Sequence, residues 1–134
     1  MRMLESGNPQ RAELAPRIIF VDDDPEVLEE YAELLEILGY PVATYTSPTE
    51  ALDRVMADEN ITVVVTDFRM PELDGACLVR TLRGRLPAAR SVGFILLTGM
   101  GAGFQVEGVE GIPILTKPFD FNHLLELMQP HLNG

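Results

Sequence analysis

The chain has a single cysteine, Cys77, and no tryptophan. One thiol cannot close an internal disulfide, so packing has to hold the fold, and the composition suits a reducing compartment. The only two histidines, His123 and His131, have no His or Cys partner at ligand spacing. That speaks against a transition-metal centre and for solvated positions. No apolar run approaches the roughly 20 residues that span a bilayer. The opening residues are polar and lack the apolar stretch of a secretory signal, so a cytoplasmic location is expected. Basic residues are scarce too. Ten Lys and Arg stand against 21 Asp and Glu, a formal charge of −11. That balance disfavours direct contact with nucleic acid or an anionic membrane, and suits cationic partners or a divalent metal.

What is present is an ordinary globular composition, 46% hydrophobic and 23% charged over 134 residues. That is one domain with room for a substantial core. Residues 1–16 lack a clean period, carry Gly7, Asn8 and Pro9, and read as a flexible N-terminal arm before a domain over 17–132.

From Arg17 two kinds of segment alternate. Ile18-Ile19-Phe20-Val21, Ile61-Thr62-Val63-Val64-Val65, Val92 to Leu97 and Ile112-Pro113-Ile114-Leu115 are short, continuous and apolar, with Val42 to Tyr45 as a weaker fifth. Continuous runs of this kind mark parallel strands covered on both faces. Between them lie helical patterns. Val27, Leu28, Tyr31, Leu34, Leu35 and Leu38 recur at helical spacing after Asp24-Pro25, with Gly39 beyond the end. Ser47-Pro48-Thr49-Glu50 is a capping box. A third helix runs from Gly75 to about Gly84 and includes Cys77 as a small, buried or half-buried position. Asp120 opens a last one that Pro130 is expected to limit. Five glycines crowd the stretch from Gly99 to Gly111, so the helix between strands four and five should be short, irregular or absent. Alternating strand–helix units make a doubly wound α/β sandwich.

In such sheets the site lies beyond the carboxyl ends of the strands. There the chain places Asp22-Asp23-Asp24, Asp67, Thr98-Gly99 and Thr116-Lys117-Pro118. Crowded carboxylates repel until a cation neutralises them, and hard oxygen donors with an open side favour Mg²⁺. A lysine adds a point charge for an anion and a threonine a hydroxyl donor. An aspartate so placed can attack a phosphoryl group in line.

The segments Ile18 to Pro25, Val64-Val65-Thr66-Asp67-Phe68-Arg69-Met70-Pro71-Glu72-Leu73-Asp74-Gly75, Leu96-Leu97-Thr98-Gly99 and Leu115-Thr116-Lys117-Pro118-Phe119 resemble the receiver domains of two-component response regulators. The resemblance covers about Arg17 to Leu132. It implies a flavodoxin-like, five-stranded parallel sheet of order 2-1-3-4-5 with helices on both faces. It implies that Asp67 is the phosphoacceptor, and that Asp22, Asp23, Asp67 and the Arg69 backbone carbonyl hold Mg²⁺. It implies that Thr98 and Lys117 bind the phosphoryl group, that the Lys117-Pro118 bond is cis, and that Asp74-Gly75 is a structural turn. The donor would be a histidine kinase or a histidine phosphotransfer protein. The downstream protein is unassigned, and a homodimer stays open as a partner. No metabolic substrate is implied, so the chain is not read as an enzyme.

Two departures stand out. Ile114 occupies the position where the family carries a switch aromatic, and the Thr98 to Lys117 spacing is a few residues short. A reshaped output face follows, reminiscent of receivers attached to hybrid histidine kinases, with the glycine-rich segment expected to be mobile without phosphate. Arg69 and Met100 stand where the family tunes phosphate lifetime, and neither orients water, so slow self-hydrolysis is expected. Too few residues follow Lys117 for a DNA-binding output domain, so output is expected through protein contact, or the chain is a receiver cut from a larger protein. A degenerate receiver that only binds protein is the alternative; the intact set of Asp22, Asp23, Asp67, Thr98 and Lys117 argues against it. A haloacid-dehalogenase-like phosphatase would need an acid where Arg69 stands. A flavin-binding domain would need a phosphate loop where Asp22-Asp23-Asp24 stand.

Overall fold

The computed structural model describes residues 15–99 and 108–132. Five strands, β1 (Ile18–Val21), β2 (Val42–Tyr45), β3 (Val63–Asp67), β4 (Gly93–Thr98) and β5 (Ile114–Thr116), form one parallel sheet of order β2-β1-β3-β4-β5. Four helices lie among the described residues: α1 (Pro25–Ile37), α2 (Pro48–Ala57), α3 (Gly75–Arg85) and α4 (Phe121–Leu132). This is the flavodoxin-like, doubly wound arrangement expected from the residue pattern.

Successive residues of a strand point to opposite faces, and each face has its own core. Ile19, Val21, Val64 and Leu96 pack with Ala51 and Val55 of α2 and Leu78, Val79 and Leu82 of α3. Ile18, Phe20, Val63, Val65, Ile95 and Leu97 pack with Leu28 and Leu35 of α1 and Leu124 and Met128 of α4. Every residue of β1, β3 and β4 is buried, which is why their sequences are continuous and apolar. The edge strands β2 and β5 are only partly buried, and of the two only β2 had the weaker apolar signal in the sequence.

Helix starts are set by side-chain acceptors. Asp24 accepts from the Glu26 N–H at 3.0 Å, Ser47 from Glu50 at 3.3 Å, Asp74 from Cys77 at 2.7 Å and Asp120 from Asn122 at 2.9 Å. Gly39, at φ +91°, ends α1 in a conformation that a side chain would strain.

The structure corrects several boundaries. β3 begins at Val63 rather than Ile61, because the Ile61 N–H turns back to the Asp58 carbonyl and those of Thr62 and Val63 share the Arg17 carbonyl. β4 begins at Gly93 rather than Val92 and runs on to Thr98. β5 begins at Ile114, since Pro113 has no N–H for the ladder and only accepts, from Leu96. Pro130 does not limit the last helix: α4 runs to Leu132, whose side chain packs on the core and whose carbonyl accepts from Arg17 Nη1 at 3.2 Å. Of the residues that recur at helical spacing, Leu34 and the C-cap Leu38 are 40% and 50% exposed. The helix expected between β4 and β5, its mobility, Met100 and most of the N-terminal arm lie outside the described residues.

Candidate functional site

The register decides what meets at the carboxyl edge. Val21 pairs with Thr66, Asp67 with Leu97, and Thr98 with Thr116. The residues that follow β1 therefore stand beside the end of β3, and Lys117 follows β5 directly. Asp22, Asp23 and Asp67 each bring a carboxylate oxygen within 4.8 Å of the others. Asp22 and Asp67 are buried, while Asp23 is exposed and faces solvent. Lys117 Nζ lies 3.0 Å from Asp67 Oδ1 and 3.4 Å from Asp22 Oδ2.

Each member is held by its neighbours. The Asp24 N–H donates to Asp22 Oδ1 at 3.0 Å, fixing that carboxylate before α1 begins. The Lys117 N–H donates to the Thr98 carbonyl at 2.7 Å, which ties the lysine to the end of β4. The Lys117-Pro118 peptide is cis. Thr98 is buried at the end of β4. The Gly75 N–H donates to the Phe68 carbonyl at 2.8 Å, and a Cβ on Gly75 would stand only 2.3 Å from the Asp67 carbonyl oxygen. Only glycine lets the start of α3 press so closely on the backbone of Asp67. Asp74 serves as the cap of α3, and its carboxylate is engaged there. Arg69, exposed, sits with Asp23, Phe68, Met70, Pro71 and Asp74 around an open depression of about 430 Å³ beside the carboxylates. Ile114 is half-buried at the first position of β5.

The electrostatics follow from this crowding. Burial pushes the Asp22 carboxyl above the usual carboxylate range; the Asp24 N–H and Lys117 relieve that in part, and the charge of Asp67 adds to it. Burial acts to lower the Lys117 ammonium, but its hydrogen bond to Asp67 and the two carboxylate charges outweigh burial and hold it above its ordinary value. Three carboxylates with one ammonium leave net negative charge in a partly buried place. That donor set, all hard oxygen and open on the Asp23 side, fits a divalent cation such as Mg²⁺.

One supporting residue escaped the sequence reading. The ring of Tyr31 stacks on Phe20, Phe119 and Phe121, with centroids 5.0, 5.6 and 6.2 Å away. The stack braces α1 against the segment that follows Lys117-Pro118. In sequence Tyr31 shares the helical spacing of Leu28 and Leu35 and reads as ordinary core; only the packing shows which rings it meets. His123 and His131 lie on α4, which starts after Lys117 and runs away from the carboxylates, and Cys77 is half-buried and free.

A doubly wound sheet with an acidic, lysine-bearing pocket at this edge defines a class of phosphoryl-handling and nucleotide-handling domains. The family model for the response regulator receiver domain matches residues 18–129, and the chain belongs to that family. Among curated relatives, the C4-dicarboxylate transport transcriptional regulatory protein DctD of Rhizobium meliloti is 31% identical over 115 residues, covering 84% of this chain and 24% of its own length. A CpxR homolog of Haemophilus influenzae is 30% identical, covering 81% and 47%. The chain thus spans between about a quarter and a half of these relatives. Among solved structures, a response regulator receiver domain protein from Clostridium thermocellum aligns with a TM-score of 0.74 at 30% identity, covering 89% of this chain and 95% of that one. The receiver domain of Francisella response regulator 1452 aligns with 0.75 at 26%, covering 88% and 98%. The chain is therefore a CheY-like receiver domain of the two-component type. No helix among the described residues is long and apolar enough to cross a membrane.

Proposed function

We propose that Asp67 accepts a phosphoryl group from a phosphohistidine on a histidine kinase or a histidine phosphotransfer protein. The observation that carries the reading is the ammonium of Lys117 held 3.0 Å from Asp67, inside a cluster that also contains Asp22 and Asp23. An Asp67 carboxylate oxygen attacks phosphorus in line. The P–N bond to the donor imidazole breaks, its electron pair stays on that nitrogen, and a proton from solvent completes the neutral ring. Lys117 supplies positive charge where the phosphoryl oxygens come to lie, already in place before transfer. Thr98, at the same edge, offers its hydroxyl to one of those oxygens. A Mg²⁺ held by Asp22, Asp23, Asp67 and the Arg69 carbonyl would offset the negative charge of carboxylates and phosphoryl group together.

The domain acts on no substrate but its own Asp67, and its output is a change in protein contacts. Ile114 lacks a ring, so any movement of Thr98 toward the phosphoryl group proceeds without an aromatic partner at that position. A receiver attached to a histidine kinase and one attached to a transcriptional output domain both fit the share of relatives that the chain covers.

Intact-mass spectrometry after incubation with acetyl phosphate, with and without Mg²⁺, tests the reading on wild type and Asp67→Asn. The expected result is a gain of one phosphoryl group that needs Mg²⁺ and is lost in the variant. No gain from acetyl phosphate, followed by none from a histidine-phosphorylated donor protein, would establish a binding-only receiver instead.

A further inference from the structure

The chain carries 21 acidic residues against ten basic ones, yet one cavity is lined by arginine and histidine and, among the described residues, by no carboxylate. It lies at the amino edge of the sheet, across the molecule from Asp67, and holds about 400 Å³. Distant parts of the chain meet there: Arg83 near the end of α3, Arg90 and Gly93 around the start of β4, Ile112 ahead of β5, and His131 near the end of α4. Phe94 and Ile112 belong to the buried core and give the cavity an apolar wall. The His131 imidazole lies on the backbone of Gly93, so close that a Cβ there would stand 2.3 Å from the ring. It brings a flat surface and, in either charge state, an N–H.

The two guanidiniums are only partly used. Arg83 donates to the carbonyls of Gly108 at 3.3 Å and Glu110 at 3.1 Å, and Arg90 to those of Asp58 at 3.2 Å and Ile61 at 3.3 Å. Carbonyls are neutral, and among the described residues neither guanidinium forms an ion pair. The carboxylates of the same two acidic residues turn to other donors. That of Asp58 is held by Arg54 Nε at 2.9 Å and the Asn60 N–H at 3.0 Å, and that of Glu110 by the Gly108 N–H at 3.1 Å. The rest of each guanidinium fork is left for an anion.

Charge, volume and lining choose the occupant. A largely apolar cavity with a few placed polar groups, of this size, is the usual form of a small-molecule site. A formal charge of −11 repels polyanions such as nucleic acid or a nucleotide, and weighs least on a single negative charge. A planar carboxylate matches the guanidinium fork, and flat walls suit a flat apolar body. We propose that this cavity binds a small aromatic monocarboxylate. Its carboxylate meets Arg83 and Arg90, and its ring lies against Phe94, Ile112 and the imidazole of His131. Bound there, it joins the end of α3, the start of β4, the segment leading into β5 and the end of α4. The cavity and Asp67 occupy opposite edges of the sheet, and the proposal does not rest on Asp67 being the phosphoacceptor.

The probe is naphthoate, with naphthylmethanol as a neutral analogue of the same shape and acetate as the charge alone. Amide chemical-shift titration of the full chain reads both affinity and place, on wild type, Arg83→Gln and Ala88→Asp. Ala88 is an exposed turn residue that lines the cavity. Ala88→Asp therefore sets a competing carboxylate there and leaves the carbonyl bonds of both arginines in place, so the test stands even where Arg83→Gln fails to fold. Circular dichroism checks folding. The expected result is saturable binding of naphthoate with a Kd of about 1 mM or tighter, and shifts centred on Gly93, Gly111 and His131. Affinity should fall at least about tenfold in each folded variant and for both analogues. No saturable binding, equal binding by naphthylmethanol or by acetate, or equal affinity in Ala88→Asp would overturn the proposal. Shifts centred on Lys117 would do the same, by placing the anion at the other edge of the sheet. Phosphoryl gain from acetyl phosphate, read on the same variants, is expected to match wild type, so the two readings fail separately.

Discussion

The two ends of the sheet use charged residues in opposite ways. At the amino end, guanidinium groups close backbone carbonyls. Arg90 Nη2 donates to the carbonyls of Asp58 at 3.2 Å and Ile61 at 3.3 Å, Arg83 to those of Gly108 and Glu110, and Arg17 to that of Leu132. Each charge there meets acceptors and ties a loop to the sheet. At the carboxyl end, carboxylates face carboxylates, and the Lys117 ammonium contacts both Asp22 and Asp67. Charged groups surrounded by acceptors and donors of opposite sense build structure; charged groups left facing their own kind store a demand for a ligand.

The strongest way to break that contrast is to remove the cation from the acidic end. Lys117→Ala should slow phosphoryl uptake from acetyl phosphate about 100-fold, as loss of a charge that is in place before transfer. Time-resolved intact mass measures it, and a rate near wild type would show that Lys117 only fills space. Next comes the close approach behind Asp67. Gly75→Ala puts a methyl group 2.3 Å from a backbone carbonyl that cannot swing aside. A loss of about 1–3 kcal/mol in urea unfolding is expected, together with slower uptake. At the opposite end, Arg90→Ala should cost about 1–2 kcal/mol for its two hydrogen bonds and leave phosphoryl uptake as it was. An equal loss of uptake would show that the two ends are not independent.

The smaller effects sharpen the comparison. Asp22→Asn should raise the melting temperature in metal-free buffer at neutral pH. The folded-state pKa of Asp22 is raised, so ionisation disfavours the folded form. That cost is absent below about the ordinary value of 3.8, grows as pH rises from there to the folded-state pKa, and then stays constant. The gain of the variant should follow the same course, and Mg²⁺ should stabilise wild type more than Asp22→Asn. A variant that melts lower at pH 7 would mean that the contact with Lys117 outweighs burial. Smallest of all is Gly93→Ala. Its Cβ would also meet atoms at 2.3 Å, but these belong to the ring of His131, near the end of α4. A side chain can rotate away, so a change within about 0.5 kcal/mol is expected. A loss as large as that of Gly75→Ala would show that the His131 ring is as fixed as a backbone.

Much of this was legible in the residues alone. Continuous apolar runs fixed the three central strands, since a strand covered on both faces has no polar positions to alternate. Asp24, Ser47 and Asp120 marked helix starts because an orphan N–H needs a nearby acceptor, which is a local requirement; Asp74 entered only through the family resemblance, as a structural turn. The acidic residues at the strand ends followed from strand order, and the segments around Asp22, Asp67, Thr98 and Lys117 carried the family resemblance. Where the reading slipped, the deciding partner lay far along the chain. Pro130 stayed inside α4 because Arg17 and the core hold Leu132. Leu34 and Leu38 share the helical spacing yet stay exposed, and Leu28 and Leu35 are the residues of α1 that the sheet buries. Tyr31 acquired its place from Phe119 and Phe121, which are distant in sequence.

The sequence by itself determined which segments are strands and helices, and which chemical groups stand at their ends, because both depend on neighbours within a few residues. Only the tertiary structure decided that Lys117 touches both Asp22 and Asp67, that α3 presses on the backbone of Asp67 where Gly75 admits it, and that Arg83, Arg90 and His131 line one cavity. Those depend on register and packing between segments, for which spacing along the chain carries no distance.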